Sequence, residues 1–169
     1  MRKRMLHLWI RAEQRKNEKR VGITPQDASK LICKGIKVTV EESADRIIST
    51  EEYHKVGCKI ANQHSWPRAP KDAIILGLKE LSDDVERLEH KHIMFGHAFK
   101  GQTSGLKLLK RFKAGKGLLY DLEYLTDPEG RRLAAFGYWA GYAGAAAVSY
   151  THLRAHETEA DLVCRLLLE

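Results

Sequence analysis

Apolar residues in this chain gather into short runs separated by polar or turn-rich stretches. Runs of that kind are the pattern of strands buried on both faces of a parallel sheet with helices between them. Met5 to Ile10 reads as the first strand. Thr24-Pro25 then opens a helix, with Thr24 as N-cap, Pro25 at the first helical position, Asp27 in the first turn and Gly35 as the stop after Lys34. Ile36 to Val40 alternates as a second strand, which completes a βαβ unit. Ser49-Thr50-Glu51-Glu52 starts a short helix that ends at Gly57, and Cys58 to Ala61 is a brief third strand before the loop at Ser65-Trp66-Pro67.

The next two apolar runs, Ala73 to Leu78 and Ile93 to Phe95, are expected strands, each followed closely by a titratable residue, Lys79 and His97. Leu81 to His90, between them, is acidic and has room for one helical turn. Ser104 to Ala114 is predicted as a helix with Leu106, Leu109 and Phe112 on one face and Lys107, Lys110, Arg111 and Lys113 mostly on the other, stopping at Gly115. Gly117 to Asp121 is a further strand, Asp127-Pro128-Glu129-Gly130 a turn, and Arg131 to Phe136 its return strand. Gly137 to Ala147 mixes small and aromatic residues, as in a closely packed helix. The order of elements predicts an α/β fold: three layers around a mostly parallel, Rossmann-like or flavodoxin-like sheet.

In such a sheet, side chains just past the carboxyl ends of strands line the ligand crevice. There a lysine and a histidine can work as an acid-base pair tuned by burial. The plainer alternatives are a solvated Lys79 and a core His97. The dense run Arg11 to Arg20 is of a kind that is usually a solvated face.

Composition narrows the partners. The 169 residues carry a net charge of +7, which suggests nucleic acid, an anionic membrane surface or a small polycarboxylate. The basic residues are dispersed and the aromatics do not interleave with them, which speaks against a nucleic-acid platform. No apolar run has the length of a membrane span. Cys33, Cys58 and Cys164 show no metal-finger spacing, so no metal is expected, and the odd number suits a reducing, cytoplasmic compartment. Gly141 and Gly144 lack the GxGxxG spacing of a dinucleotide fingerprint.

Six segments in order, RAEQRKNEKRVGITP, LICKGIKVTVEES, IILGLKE, HIMFGHAFK, GLLYDLEYL and GRRLAAFGYWAGYAGAA, resemble the amino-terminal part of saccharopine dehydrogenases of the NAD-dependent, lysine-forming type. More distantly the chain resembles the corresponding domain of alanine dehydrogenase and of nicotinamide nucleotide transhydrogenase. HIMFGHAFK, DLEYL and the pair Arg131-Arg132 favour the saccharopine type. The resemblance implies a substrate-side domain over 1–147, with an NAD-binding domain to follow it. It implies a reaction in which the secondary amine of saccharopine is oxidised to an imine, with NAD as acceptor, and water then releases lysine and 2-oxoglutarate.

The same resemblance puts the catalytic base at Lys79 and a second acid-base group at His97. It places the substrate arginines at Arg20 and Arg132, where planar guanidinium groups grip carboxylates through paired hydrogen bonds. Phe136 matches a pocket-lining residue, Glu80 and Glu123 match carboxylates beside the catalytic pair, and Lys100 and Arg15 match neighbouring basic positions. Strand alternation allows only one of Arg131 and Arg132 to face the substrate. The resemblance ends at Ala147. Residues 148–169 resemble translated sequencing-adapter read-through, so the chain is expected to be a fragment without the NAD-binding domain and inactive by itself.

Overall fold

Alternation along each strand sorts the apolar side chains onto the two faces of a single sheet, and that sorting builds the layers. The computed structural model describes residues 5–99, 101, 103–135 and 145. Among them, six strands form one sheet: β1 (His7–Ile10), β2 (Lys37–Glu41), β3 (Lys59–Ala61), β4 (Ile74–Leu76), β5 (Lys91–Met94) and β6 (Leu118–Asp121), in the order β3-β2-β1-β4-β5-β6. Every neighbouring pair runs parallel, as predicted.

Ile10, Val38, Val40 and Leu76 point to one face, where they meet Ala28 of α1 (Pro25–Cys33) and Tyr53 of α2 (Thr50–Lys55). Ile75 and Met94 point to the other, where Leu108 and Phe112 of α3 (Thr103–Gly115) and Trp66 cover them. The expected three layers are therefore present. The helix starts follow their caps: Thr24 accepts from the Asp27 amide at 3.2 Å, and Ser49 from the Glu52 amide at 3.4 Å. Gly35, at φ +81°, takes the left-handed turn that ends α1.

Several expectations about these elements need correction. The strand read at Ile93 to Phe95 begins earlier, at Lys91, because His92 is a core residue. Its ring packs edge-on against Trp66 at 5.1 Å and Phe112 at 5.3 Å, and burial pushes its pKa down to about 3. A neutral imidazole in such a box counts as apolar, which a hydropathy pattern does not register.

The core face of α3 is Gly105, Leu108, Arg111 and Phe112, while Leu106 is 63% exposed. Arg111 is inside because its guanidinium donates to the carbonyls of Val85 (2.8 Å) and Ser82 (2.7 Å), groups that have no ladder partner in this irregular loop. The same contacts explain why the stretch 81–90 forms no helical turn: its carbonyls are drawn to α3 and its Leu81 and Leu88 to the core. Gly117 permits the close pass, since a Cβ there would overlap the Leu88 carbonyl.

The chain divides into two compact units, Met1–Leu125 and Thr126–Glu169. In the second, the predicted turn is present, with the Asp127 amide donating to the Arg131 carbonyl at 2.9 Å and Gly130 at φ +80°. The expected return strand reduces, among described residues, to one antiparallel bridge between Thr126 and Arg132, and Arg131, Arg132 and Leu133 are exposed there. The rest of the helix expected over 137–147, apart from Ala145, and the segment 148–169 lie outside the described residues. No helix among the described residues is long and apolar enough to cross a membrane.

Candidate active site

From β1 the chain builds outward through β2 to β3 on one side, and from β4 through β5 to β6 on the other. Strand order thus reverses between β1 and β4, and in open parallel sheets the crevice at the carboxyl ends of such a pair is where ligands bind. Lys79 leaves β4 at this point, opposite the loop that leaves β1. His97 follows the neighbouring β5, and the Phe95 amide donates to the Leu78 carbonyl at 3.2 Å, tying the two exits together.

The β1 exit is not the uniformly solvated loop that its charge suggests. Arg11 is 2% exposed, and Ala12 and Glu18 are also buried. The carboxylate of Glu41, at the end of β2, accepts from the Trp9 indole (3.0 Å) and from the amides of Ala12 (2.8 Å) and His64 (3.0 Å), which anchors the loop to the sheet. Burial lowers the Arg11 pKa, and the charges of Glu13 and Glu41 oppose that shift. The fork of Arg20 grips Glu18 through Nε (2.8 Å) and Nη2 (2.6 Å). These bonds hold the Glu18 carboxyl below its ordinary value, with a smaller contribution from the Lys79 charge.

The β5 exit is built differently. His97 sits at φ +47°, a left-handed conformation that costs a residue with a Cβ and that clusters at functional sites. Its Nδ1 lies 3.4 Å from Oε1 of Glu123, with the imidazole 32% and the carboxylate 11% exposed. Asp121 aligns both partners: its Oδ1 accepts from the amide of Gly96 (3.1 Å) and from that of Glu123 (3.0 Å). His97 and Glu80 line a cleft of about 260 Å³ that runs along Ser82 and Asp83 to Ser104 and Lys107 of α3.

Of the residues singled out from sequence, Lys79, His97, Arg20, Glu80, Glu123 and Arg15 therefore all lie at one edge of the sheet. Three pairings stand out among them. Lys79 acts electrostatically on Glu18, His97 pairs with Glu123, and Glu80 pairs with Arg15 at 3.6 Å near the solvent. Arg132 belongs to the second unit, where it donates to the Ala134 carbonyl at 3.4 Å, and Arg131 pairs with Asp127 at 3.5 Å. Lys100 and Phe136 lie outside the described residues. Sequence reasoning missed Arg11, Glu13, Glu41 and Asp121 as organisers of the edge; the available signal was Arg-Ala-Glu immediately after an apolar strand, facing the small Gly77 in IILGLKE.

Nothing among the described residues of this unit fits a dinucleotide. The β1–α1 connection, where a dinucleotide-binding sheet carries its glycine-rich turn, holds buried Arg11, Ala12 and Glu18 here.

Residues 9–143 match the family described as alanine dehydrogenase/PNT, N-terminal domain. The chain is 48% identical to a saccharopine dehydrogenase [NAD(+), L-lysine-forming] of Schizosaccharomyces pombe over 83% of its own length and 38% of that protein. It is 51% identical to the enzyme of the same name from Emericella nidulans, over 82% of this chain and 37% of the relative. It thus spans less than two-fifths of the length of these curated relatives. Among solved structures, an L-alanine dehydrogenase shares the fold at a TM-score of 0.59 and 15% identity, covering 74% of this chain and 34% of that one. A transhydrogenase from Sinorhizobium meliloti does so at 0.57 and 22%, covering 70% and 35%. The parallel sheet, the exits at its carboxyl edge and these matches agree: the chain belongs to the alanine dehydrogenase/PNT N-terminal domain family and is a homologue of the saccharopine dehydrogenases within it.

Proposed function

We propose that residues 1–147 are the substrate-side domain of an NAD-dependent saccharopine dehydrogenase, which interconverts saccharopine with lysine and 2-oxoglutarate. The observation that carries this reading is the placement of Lys79 at the β1/β4 reversal with His97 at the next strand exit, in a chain about half identical to enzymes of that name. NAD has no seat in the described residues, and we assign it to the part of the enzyme's length that this chain does not span.

On this reading Lys79 takes the proton from the secondary amine of saccharopine. His97, kept in register by Glu123, activates the water that attacks the resulting imine and returns a proton to the departing amine. The Glu123 carboxylate, 3.4 Å from Nδ1, orients the ring for that role. Arg20 and Arg132 are each assigned a substrate carboxylate, and Phe136, Lys100, Arg15 and Glu80 the supporting roles that the family resemblance gives them. Arg20 already forms a two-pronged bond to Glu18, the geometry with which it would meet a substrate carboxylate.

The test is substitution in the full-length enzyme carrying this region. Lys79→Met should lower kcat by about a hundredfold to ten-thousandfold, the usual contribution of a general base, while KM for saccharopine changes little. Arg20→Ala should act chiefly on KM. A Lys79→Met enzyme that keeps a tenth or more of its turnover contradicts the assignment.

A further inference from the structure

The least expected feature of the edge is how the peptide of Lys79 is held. Glu13 Oε1 accepts from the Leu78 amide at 2.6 Å, and its Oε2 accepts from the Lys79 amide at 3.1 Å. On the other side of the same residue, Arg11 Nη2 donates to the Lys79 carbonyl. Arg11 and Glu13 are themselves paired, Nη1 to Oε2 at 3.3 Å, with side-chain exposures of 0% and 10%. Gly77 makes room for the guanidinium, since a Cβ at that position would coincide with it. Past the end of β4, where the Leu78 carbonyl is still tied to the Phe95 amide, two side chains from β1's exit take up both amides and the Lys79 carbonyl.

We propose that Arg11 and Glu13 are positioning residues for Lys79, a clamp that fixes its Cα–Cβ direction at the strand reversal and thereby aims the ammonium. A charged pair is suited to the task. Hydrogen bonds from amides to an ionised carboxylate are stronger than neutral ones, and in a buried setting the bonds resist rotation of the peptide. The pairing also explains why a buried arginine persists here: its charge is matched by Glu13, and Glu41 adds a second carboxylate nearby. The mechanistic half of the proposal rests on Lys79 being the base; the clamp itself does not.

Two measurements separate these halves. In this 169-residue chain, amide hydrogen exchange of Leu78 and Lys79 is compared with that of Val40 in β2 as the internal standard. Glu13→Ala should speed exchange at both amides about tenfold or more, with Val40 unchanged. Glu13→Gln retains one acceptor oxygen and turns an NH₂ toward the second amide, so one of the two should lose protection. If Glu13→Ala unfolds the chain, seen as loss of protection at Val40, the Gln variant decides. Protection that survives at both amides overturns the clamp.

In the full-length enzyme, Glu13→Ala should lower kcat about tenfold or more with KM within about threefold, and Glu13→Gln should fall between it and the parent. In a Lys79→Met background Glu13→Ala should cost nothing further, since the residue acts through Lys79. An undiminished cost in that background overturns the positioning role even with the clamp intact. A Lys79→Met enzyme that keeps its turnover removes the catalytic reading instead, and leaves the exchange result standing.

Discussion

The two exits that carry the candidate catalytic groups are held by opposite means. At the β1/β4 exit, Lys79 has an ordinary backbone held by buried charge, with Glu13 and Arg11 on its peptide and Glu41 anchoring the loop behind them. At the β5/β6 exit, His97 has a strained backbone at φ +47°, supported by one aspartate and an open cleft. A lysine on a long flexible stem gains aim only if its root is immobile. A histidine has a short stem, so its backbone conformation alone determines much of where the ring points, and the ring itself stays partly open to solvent. Rigidity at one exit and stored strain at the other are two routes to the same end.

Breaking this contrast should be most costly where charge is buried. Arg11→Ala leaves Glu13 and Glu41 without their guanidinium neighbour and should destabilise the chain by about 3–5 kcal/mol in urea unfolding. A loss below about 1 kcal/mol would mean that the first exit is no more tightly built than the second.

His92 of β5 sharpens the comparison through pH. The folded pKa of His92, about 3, lies below its unfolded value. The neutral ring therefore stabilises the fold fully above about pH 6.5 and progressively less as pH falls toward 3, with a slope approaching ~1.4 kcal/mol per pH unit. His92→Leu should flatten that part of the stability profile whatever it does to stability at neutral pH. An unchanged acid slope would remove His92 from the core description.

A smaller effect of opposite sign is expected at the strained exit. His97→Gly relieves the left-handed backbone and should raise stability by up to about 1 kcal/mol, even though the contact with Glu123 is lost and activity of the full-length enzyme falls. Destabilisation instead would show that the contacts of the imidazole outweigh the strain of the backbone beneath it. The smallest change is expected between the exits: Arg15 and Glu80 pair at 59% and 50% side-chain exposure, so Arg15→Ala should cost under about 1 kcal/mol and less still at high salt.

How much of this was legible beforehand follows from the range of each interaction. Thr24-Pro25 and Ser49 open helices where their spacing requires, because a cap is satisfied within three residues of itself. Most strands were legible too, since side-chain period is local, although the start of β5 and the return strand after Arg131 were not. The face of α3 was not: Leu106 follows the apolar spacing as well as Leu108 does, and the choice between them depends on carbonyls more than twenty residues away that capture Arg111. His92 was missed for the same reason, its apolar character being conferred by Trp66 and Phe112.

The amino-acid sequence by itself thus determined where the capped helices and most strands fall, the parallel character of the sheet, and the identities of Lys79 and His97 as residues just beyond strand ends. Only the tertiary structure decided which charges of RAEQRKNEKR are buried, that His97 adopts a left-handed backbone, and that Glu13 reaches across to the peptide of Lys79. The reason is physical. Secondary structure is selected by interactions within a few residues, whereas the burial of a charge is tolerable only when its partner arrives from a distant part of the chain, and that partner is assigned by the strand order.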